Sequence, residues 1–189
     1  GYNSANQRPV LLIQYLGADP KGNAAGDKAL LRIPTTGTVD VPPEAGKELA
    51  NDNGLSAPRL VDLNGDGRVD IAYAGDNQGN LWKFDLLSTD DANWGVAFSG
   101  SPLFTAKGGT QGSPDSRTLA QPITIAPTVR ANDRYATVGT GNDAVTMRVG
   151  GMMVAFGPGR NVTKADEHNR NVQTLYSVLD NTRYRLNSD

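Results

Sequence analysis

The chain has 189 residues, a formal net charge of −2 and no cysteine. This length is sufficient for one domain with a hydrophobic core, and the lack of net positive charge argues against a nucleic-acid-binding protein. No run of about 18 apolar residues occurs, so no membrane-spanning helix is predicted. The absence of cysteine excludes disulfides and thiol catalysis. Because Gly1 is not a natural start, we expect the chain to be a piece excised from a longer protein.

Short β-type segments alternate with turns along the whole chain. The 22 glycines and 11 prolines punctuate these segments, and helical periodicity is weak throughout, so the pattern predicts an all-β fold. The first segment is almost continuously apolar, which predicts burial on both faces. Strands are predicted over residues 9–16, 29–33, 59–61, 69–74, 80–86, 101–106, 152–156 and 172–179, and residues 121–129 open another unit.

Two further features concern the arrangement of these strands. Residues 135–139 and 145–149 form a predicted hairpin within a stretch, 131–149, that reads as an insertion. Apolar strands that each follow a polar or glycine-containing turn recur along the chain, and repeated units of four strands are typical of β-propeller blades. We therefore predict one partial propeller domain over 1–189, with approximate blades at 1–50, 51–118 and 119–189.

The most informative stretch is the loop 62–70. Oxygen-bearing side chains recur at every second position, in Asp62, Asn64 and Asp66, and Asp70 closes the run. Gly67 occupies the sixth place, where a residue without Cβ permits a sharp turn. Alternate side chains of a tightly curled loop can point inward together, as a hard cation with six to eight oxygen ligands requires. The spacing therefore predicts a metal-binding loop.

We expect Asp62, Asn64, Asp66 and Asp70 to bind Ca²⁺ through their side chains and Arg68 to bind it through its backbone carbonyl. Three carboxylates suit Ca²⁺, whereas Mg²⁺ prefers a strict octahedron with retained waters and ranks second. Zinc is disfavoured because cysteine is absent and the only histidine, His168, lies far away in the sequence.

The loop is not an EF-hand. Tyr73 occupies the twelfth position, where an EF-hand places glutamate, and the flanking segments are predicted strands rather than helices. A metal-free hairpin remains the alternative, since Asn64-Gly65 and Asp66-Gly67 are turn-forming pairs. Against it, three closely spaced carboxylates with Arg68 as the one nearby cation would repel one another.

Several segments together resemble the C-terminal β-propeller of the PilC/PilY family, whose members are type IV pilus biogenesis proteins and tip-associated adhesins. The resemblance covers nearly the whole chain and is most specific over 62–86. Trp82 is expected to pack inside a blade. The segments that carry the resemblance are 1–5, 53–56, 72–86, 102–106, 121–124, 126–127 and 173–176.

The resemblance implies a calcium site in the loop 62–70, whose occupancy controls pilus extension against retraction, and with it twitching motility and surface adhesion. It implies pilin or minor pilins and host-cell surfaces as partners. It also implies a location at the bacterial outer membrane, the pilus tip or a secreted surface. Such a propeller has about seven blades, of which this chain would supply roughly three. No Arg-Gly-Asp motif occurs, so integrin binding is not carried over.

Two alternatives remain open from the sequence. Calcium could staple a blade without any regulatory role. Residues 80–85 also resemble strands of quinoprotein dehydrogenase propellers, but neither a ring-stacking aromatic residue nor a catalytic aspartate can be identified, so we predict that the chain is not an enzyme. A partial propeller leaves sheet edges uncovered, and we therefore expect self-association.

Overall fold

A computed structural model describes residues 8–16, 30–36, 53–161, 164 and 166–181. Predictions for residues 1–7, 17–29, 37–52 and 182–189 lie outside the described residues. Within the described part every regular element is a β-strand or a single 3₁₀ turn, and all paired strands are antiparallel. The strands are β1 (Val10–Ile13), β2 (Leu31–Pro34), β3 (Arg59–Val61), β4 (Ile71–Gly75), β5 (Asn80–Asp85), β6 (Gly95–Val96), β7 (Phe104–Thr105), β8 (Lys107–Gly108), β9 (Leu119–Ala120), β10 (Thr128–Ala131), β11 (Tyr135–Val138), β12 (Val145–Arg148), β13 (Met152–Phe156) and β14 (Tyr176–Asp180).

Three sheets pack face to face. The central sheet has the order β3-β4-β5-β6, with β7 also paired to β5, and it lies between the pair β1-β2 and the sheet β10-β13-β14. All five residues of β4 are buried, because both faces of this strand are covered. Sheets stacked in this way correspond to successive blades of a propeller.

One hydrophobic cluster fills each interface of the central sheet. Ala72, Trp82 and Phe84 face the β1-β2 sheet, where they pack with Leu11 and Ile33. The alternate side chains of the same strands face the β10-β13-β14 sheet, as the two-residue period of a strand requires. That second cluster contains Ile71, Tyr73, Leu81, Ala106, Ile123, Val154 and Phe156.

A buried polar cluster crosses the second interface. Lys83 Nζ lies 2.6 Å from Asp180 Oδ2, and both side chains are only 2% exposed. The hydroxyl of Tyr73 donates to the same carboxylate oxygen at 2.5 Å. Because Tyr73 and Lys83 are register partners in the central sheet and Asp180 ends β14, this cluster ties two sheets together.

The predicted hairpin within 131–149 is confirmed. Strands β11 and β12 pair only with each other among the described residues, and most of their side chains are exposed. In the chain they lie between β10 and β13, which are paired with each other.

Most of the other predicted strands are present in the structure, but the predictions made them too long. The first strand is correct in place but wrong in its burial, since Leu12 is 45% exposed. No helix in the described part of the chain has the length and hydrophobicity to cross a membrane.

Candidate metal-binding loop

The loop 62–70 connects β3 to β4 in the central sheet, as the sequence predicted. Its curl depends on two glycines with left-handed backbone conformations, Gly65 at φ 77° and Gly67 at φ 85°. An added Cβ would meet no atom within 4 Å at either position, so the requirement for glycine comes from the backbone conformation itself. From Asp62 to Arg68 the loop is exposed, and burial returns at Asp70.

Asp62 holds the first half of the curl. Its two carboxylate oxygens accept hydrogen bonds from Gly65 N at 2.6 Å and from Gly67 N at 2.8 Å. The hydrogen bond from Gly67, helped by that from Gly65, lowers the pKa of Asp62 below its usual 3.8, although partial desolvation opposes the shift. Asp62 therefore stays ionised under all ordinary conditions.

Asn64 and Asp66 extend the same pattern. Asn64 Oδ1 accepts from Asp66 N at 2.9 Å, and Asp66 Oδ1 accepts from Arg68 N at 2.8 Å. The side-chain amide of Asn64 donates to the other oxygen of Asp66 at 3.2 Å. These short-range bonds are typical of Asx turns, and they bring the Asn64 and Asp66 side chains together.

Asp70 anchors the loop to the protein interior. The residue is only 6% exposed, and its Oδ2 accepts from Leu63 N at 2.7 Å. Its backbone N–H donates to Val61 O, and its carbonyl accepts from Leu86 N, both at 2.9 Å. One residue thus joins the loop, the end of β3 and the segment that follows β5.

The side-chain oxygens of this loop are of the type that binds a hard cation. Asp62, Asn64, Asp66 and Asp70 supply oxygen ligands, and a carboxylate oxygen that accepts one N–H retains a further lone-pair direction. In the conformation of this structure these oxygens face loop N–H groups. Across the described residues, no three His, Asp or Glu side chains converge closely enough to hold a metal ion.

A groove adjoins this loop. It encloses about 700 Å³ between β1, β3 and the segment after β5. Its walls are largely apolar, and its polar end is formed by the loop residues Asn64, Asp66, Arg68 and Asp70. The apolar lining comes from Leu11, Leu12, Ile13, Pro58, Leu60, Val69, Leu86, Leu87 and Trp94.

The sequence interpretation missed a buried carboxylate that accepts many hydrogen bonds, that of Asp76. Asp76 lies at the turn between β4 and β5, yet it is fully buried. Its Oδ1 accepts from the backbone N–H groups of Gln78 and Asn80, and its Oδ2 accepts from the side chains of Asn53, Asn80 and Trp82. The available signal was Trp82 six positions later, on the strand that folds back from the turn. Trp82 itself lies in the core, as predicted.

Comparison with known proteins supplies the family context. A family model described as the PilY1 beta-propeller domain matches residues 38–186. The type IV pilus biogenesis factor PilY1 of Pseudomonas aeruginosa strain PAO1 is 37% identical over 199 residues, which cover 95% of this chain and 14% of that protein. A PilY1 homolog from Xylella fastidiosa is 32% identical over 187 residues, covering 95% of this chain and 10% of the homolog.

A solved structure gives the corresponding fold. The crystal structure of the Pseudomonas aeruginosa PilY1 C-terminal domain superposes with a TM-score of 0.60 and 33% sequence identity, covering 96% of this chain and 33% of that one. The predicted β-propeller architecture is thereby confirmed. The division into three blades at 1–50, 51–118 and 119–189 stays a prediction.

Proposed function

This chain belongs to the PilY1 β-propeller family, and from that premise we propose that it is the calcium-binding portion of a type IV pilus biogenesis factor. The family resemblance drawn from the sequence is confirmed. The family is one of pilus biogenesis factors rather than enzymes, which sets aside the quinoprotein alternative. The proposed ligands of one Ca²⁺ are the side chains of Asp62, Asn64, Asp66 and Asp70 and the carbonyl of Arg68.

The observation that carries this proposal is the curled loop itself. Three carboxylates and one amide lie within nine residues, in a curl fixed by Gly65 and Gly67. When bound, the ion would supply the positive charge that offsets repulsion between the carboxylates. The residues of the chain hold the loop in shape through their bonds to backbone N–H groups.

Asp70 gives the loop a route to the rest of the domain. Its carboxylate holds Leu63 N, and its backbone is bonded to both Val61 and Leu86. A change at the Asp70 carboxylate on ion binding would therefore reach β3 and the segment after β5. We propose that this coupling lets Ca²⁺ occupancy regulate pilus extension against retraction and surface adhesion. The contacts would be made with pilin or minor pilins, or with a host-cell surface, at the pilus tip or outer membrane.

A structural role is the second candidate. The loop is already closed by its own hydrogen bonds, which favours an ion that merely strengthens a finished turn. Asp70→Asn in the full-length parent separates the two roles, because asparagine retains an acceptor for Leu63 N while losing the charge. Loss of pili with an unchanged Tm of the purified domain would support regulation. Collapse of the fold would support the structural role alone.

Calorimetric Ca²⁺ titration of the EDTA-treated chain tests the site directly. We expect one equivalent to bind to the parent and none to Asp70→Ala. Because Asp70→Ala also removes the acceptor for Leu63 N, Asp66→Asn provides a milder variant that retains the acceptor for Arg68 N. Asp115→Asn, an exposed aspartate elsewhere, serves as the control. Absence of heat and of any thermal shift in the parent would show that the loop is only a turn.

A further inference from the structure

The groove beside the loop is lined by large apolar side chains that are partly exposed to solvent. Leu12, Leu60 and Leu87 all line it, and they are 45%, 54% and 42% exposed. Leu60 pairs with Ala72 and so lies on the face of the central sheet that packs against β1-β2. The groove is therefore an open rim of that core, and its volume of about 700 Å³ lies within the range of ligand-binding clefts.

The loop at the polar end of the groove is acidic. Residues 61–70 contain three aspartates and a single basic residue, Arg68. Asp66 and Asp70 line the groove directly, together with Asn64 and Arg68. An occupant with an acidic group would be repelled here, whereas an occupant with a basic group would be attracted. The apolar walls call for aliphatic or aromatic side chains in the same occupant.

We infer that this groove binds a short apolar peptide segment of a partner protein that carries a lysine or arginine at the loop end. We also infer that Ca²⁺ and this peptide segment oppose each other's binding, and this part of the inference rests on the calcium site of the proposed function. Asp66 and Asp70 belong both to the groove and to the proposed ion ligands. Calcium binding would neutralise the charges that attract the basic side chain, and by linkage each ligand weakens the binding of the other.

Two capped tetrapeptides test the occupant, Ac-Leu-Val-Leu-Lys-NH₂ and Ac-Leu-Val-Leu-Glu-NH₂. Binding is followed by NMR of leucine methyl groups in the intact chain, first with EDTA present. We expect the lysine peptide to shift the methyl signals of Leu12, Leu60 and Leu87 and to bind about fivefold or more tightly than the glutamate peptide. Equal binding of the two peptides, or shifts confined to other leucines, would overturn the inference. Preferential binding of the glutamate peptide would overturn it as well.

A matched pair of strand variants locates the contact. Leu60→Asn places a polar group in the groove, and Val138→Asn makes a comparable change on the exposed hairpin, where Val138 is 57% exposed. We expect Leu60→Asn to abolish binding of the lysine peptide without changing the calorimetric heat of Ca²⁺ binding. Val138→Asn should change neither the peptide binding nor the Ca²⁺ binding. Peptide binding that survives in Leu60→Asn but is lost in Val138→Asn would place the contact elsewhere and refute the groove.

Calcium provides the last step of the test. Saturating Ca²⁺ is expected to weaken the lysine peptide about fivefold or more, within the usual range of coupling between two sites. Measured calcium heat without any change in peptide affinity would overturn the coupling. If the chain shows no calcium heat, the proposed function fails at its metal site, yet the preference for lysine over glutamate still decides whether the groove has the assigned occupant.

Discussion

Asp76 shows how one side chain can organise a turn and a core together. Its carboxylate is fully buried and accepts five hydrogen bonds, which come from N–H groups of Asn53, Gln78, Asn80 and Trp82. One of them, the indole of Trp82, donates at 2.9 Å from within the first hydrophobic cluster. Both oxygens of the group therefore act as acceptors, an arrangement that an amide side chain cannot reproduce.

Asp76→Asn is expected to destabilise the chain by about 2–4 kcal/mol, nearly as much as Asp76→Ala. The substituted amide would place an NH₂ group among donors, so buried hydrogen bonds are lost in both variants. Urea denaturation followed by tryptophan fluorescence measures the change, with Asp115→Asn as the exposed control. An Asp76→Asn midpoint equal to that of the control would contradict the role assigned to the carboxylate.

Asp62 gives the loop a defined dependence on pH. Its pKa is lowered in the folded chain, chiefly by the hydrogen bond from Gly67. Its contribution to stability is therefore fully present above the unfolded pKa of 3.8 and is lost as pH falls through the lower folded value. We expect the amide signals of Gly65 and Gly67 to stay constant at higher pH and to move only below about pH 4.

NMR titration of the two glycine amides checks this expectation. Asp62→Asn should abolish the acid-range movement of both signals, because the titrating group is then absent. Movement of the signals centred above pH 4 in the parent would show that the hydrogen bonds do not favour the ionised form.

At the scale of elements, periodic segments could be predicted from the sequence and very short ones could not. The strand over 152–156 was predicted with its observed bounds, and the hairpin pairs Tyr135–Val138 with Val145–Arg148 as expected. By contrast, β6 and β8 contain two residues each, which is too short for a two-residue period to be visible. Their positions depend on neighbouring strands, not on local sequence.

In the candidate site, too, the local features could be predicted from the sequence and the contacts between distant residues could not. The spacing of Asp62, Asn64 and Asp66 predicted the curl, because glycines and Asx turns act over a few residues. It did not predict that Asp70 is buried and bonded to Leu86, since that contact joins residues from different strands. Nor did it predict the groove, which depends on the approach of β1 to β3.

The pair Lys83 and Asp180 tests the contact between the central sheet and the third one. Asp180→Ala would leave Lys83 buried without this carboxylate, and we expect a loss of about 3–5 kcal/mol. The double variant Lys83→Met/Asp180→Leu, made together with Tyr73→Phe because the Tyr73 hydroxyl donates to Asp180, should recover most of that loss, because it replaces the buried polar groups with apolar groups of similar size. A double-mutant cycle by chemical denaturation measures the coupling. Equal stability of Asp180→Ala and the parent would exclude the ion pair as a link between the sheets.

At the scale of the whole molecule, the outer sheets are only partly covered. Within the described residues β14 pairs on one side only, with β13, and Leu179 remains 38% exposed. The solved relative domain is about three times longer than the part matched, since the chain covers 33% of it. The rest of that domain lies outside the matched part.

We therefore expect the isolated chain to self-associate at high concentration through uncovered strand edges and faces. Sedimentation velocity and light scattering over a range of concentrations measure the assembly. Leu179→Lys should shift the population towards monomer, whereas Leu16→Lys, at a site already 95% exposed, should have little effect. A monomer at every concentration in the unsubstituted chain would contradict the expectation.

The short ladder between β3 and β4 has a mechanical consequence. Three register pairs hold β3 at the edge of the central sheet, whereas five hold β4 to β5. A tensile load applied to the chain before β3 would therefore act on these three register pairs before it reached the five between β4 and β5, and separation of β3 would straighten the loop 62–70. Because Asp70 fastens the two ends of the loop, an ion bound there would raise the force needed for that first opening.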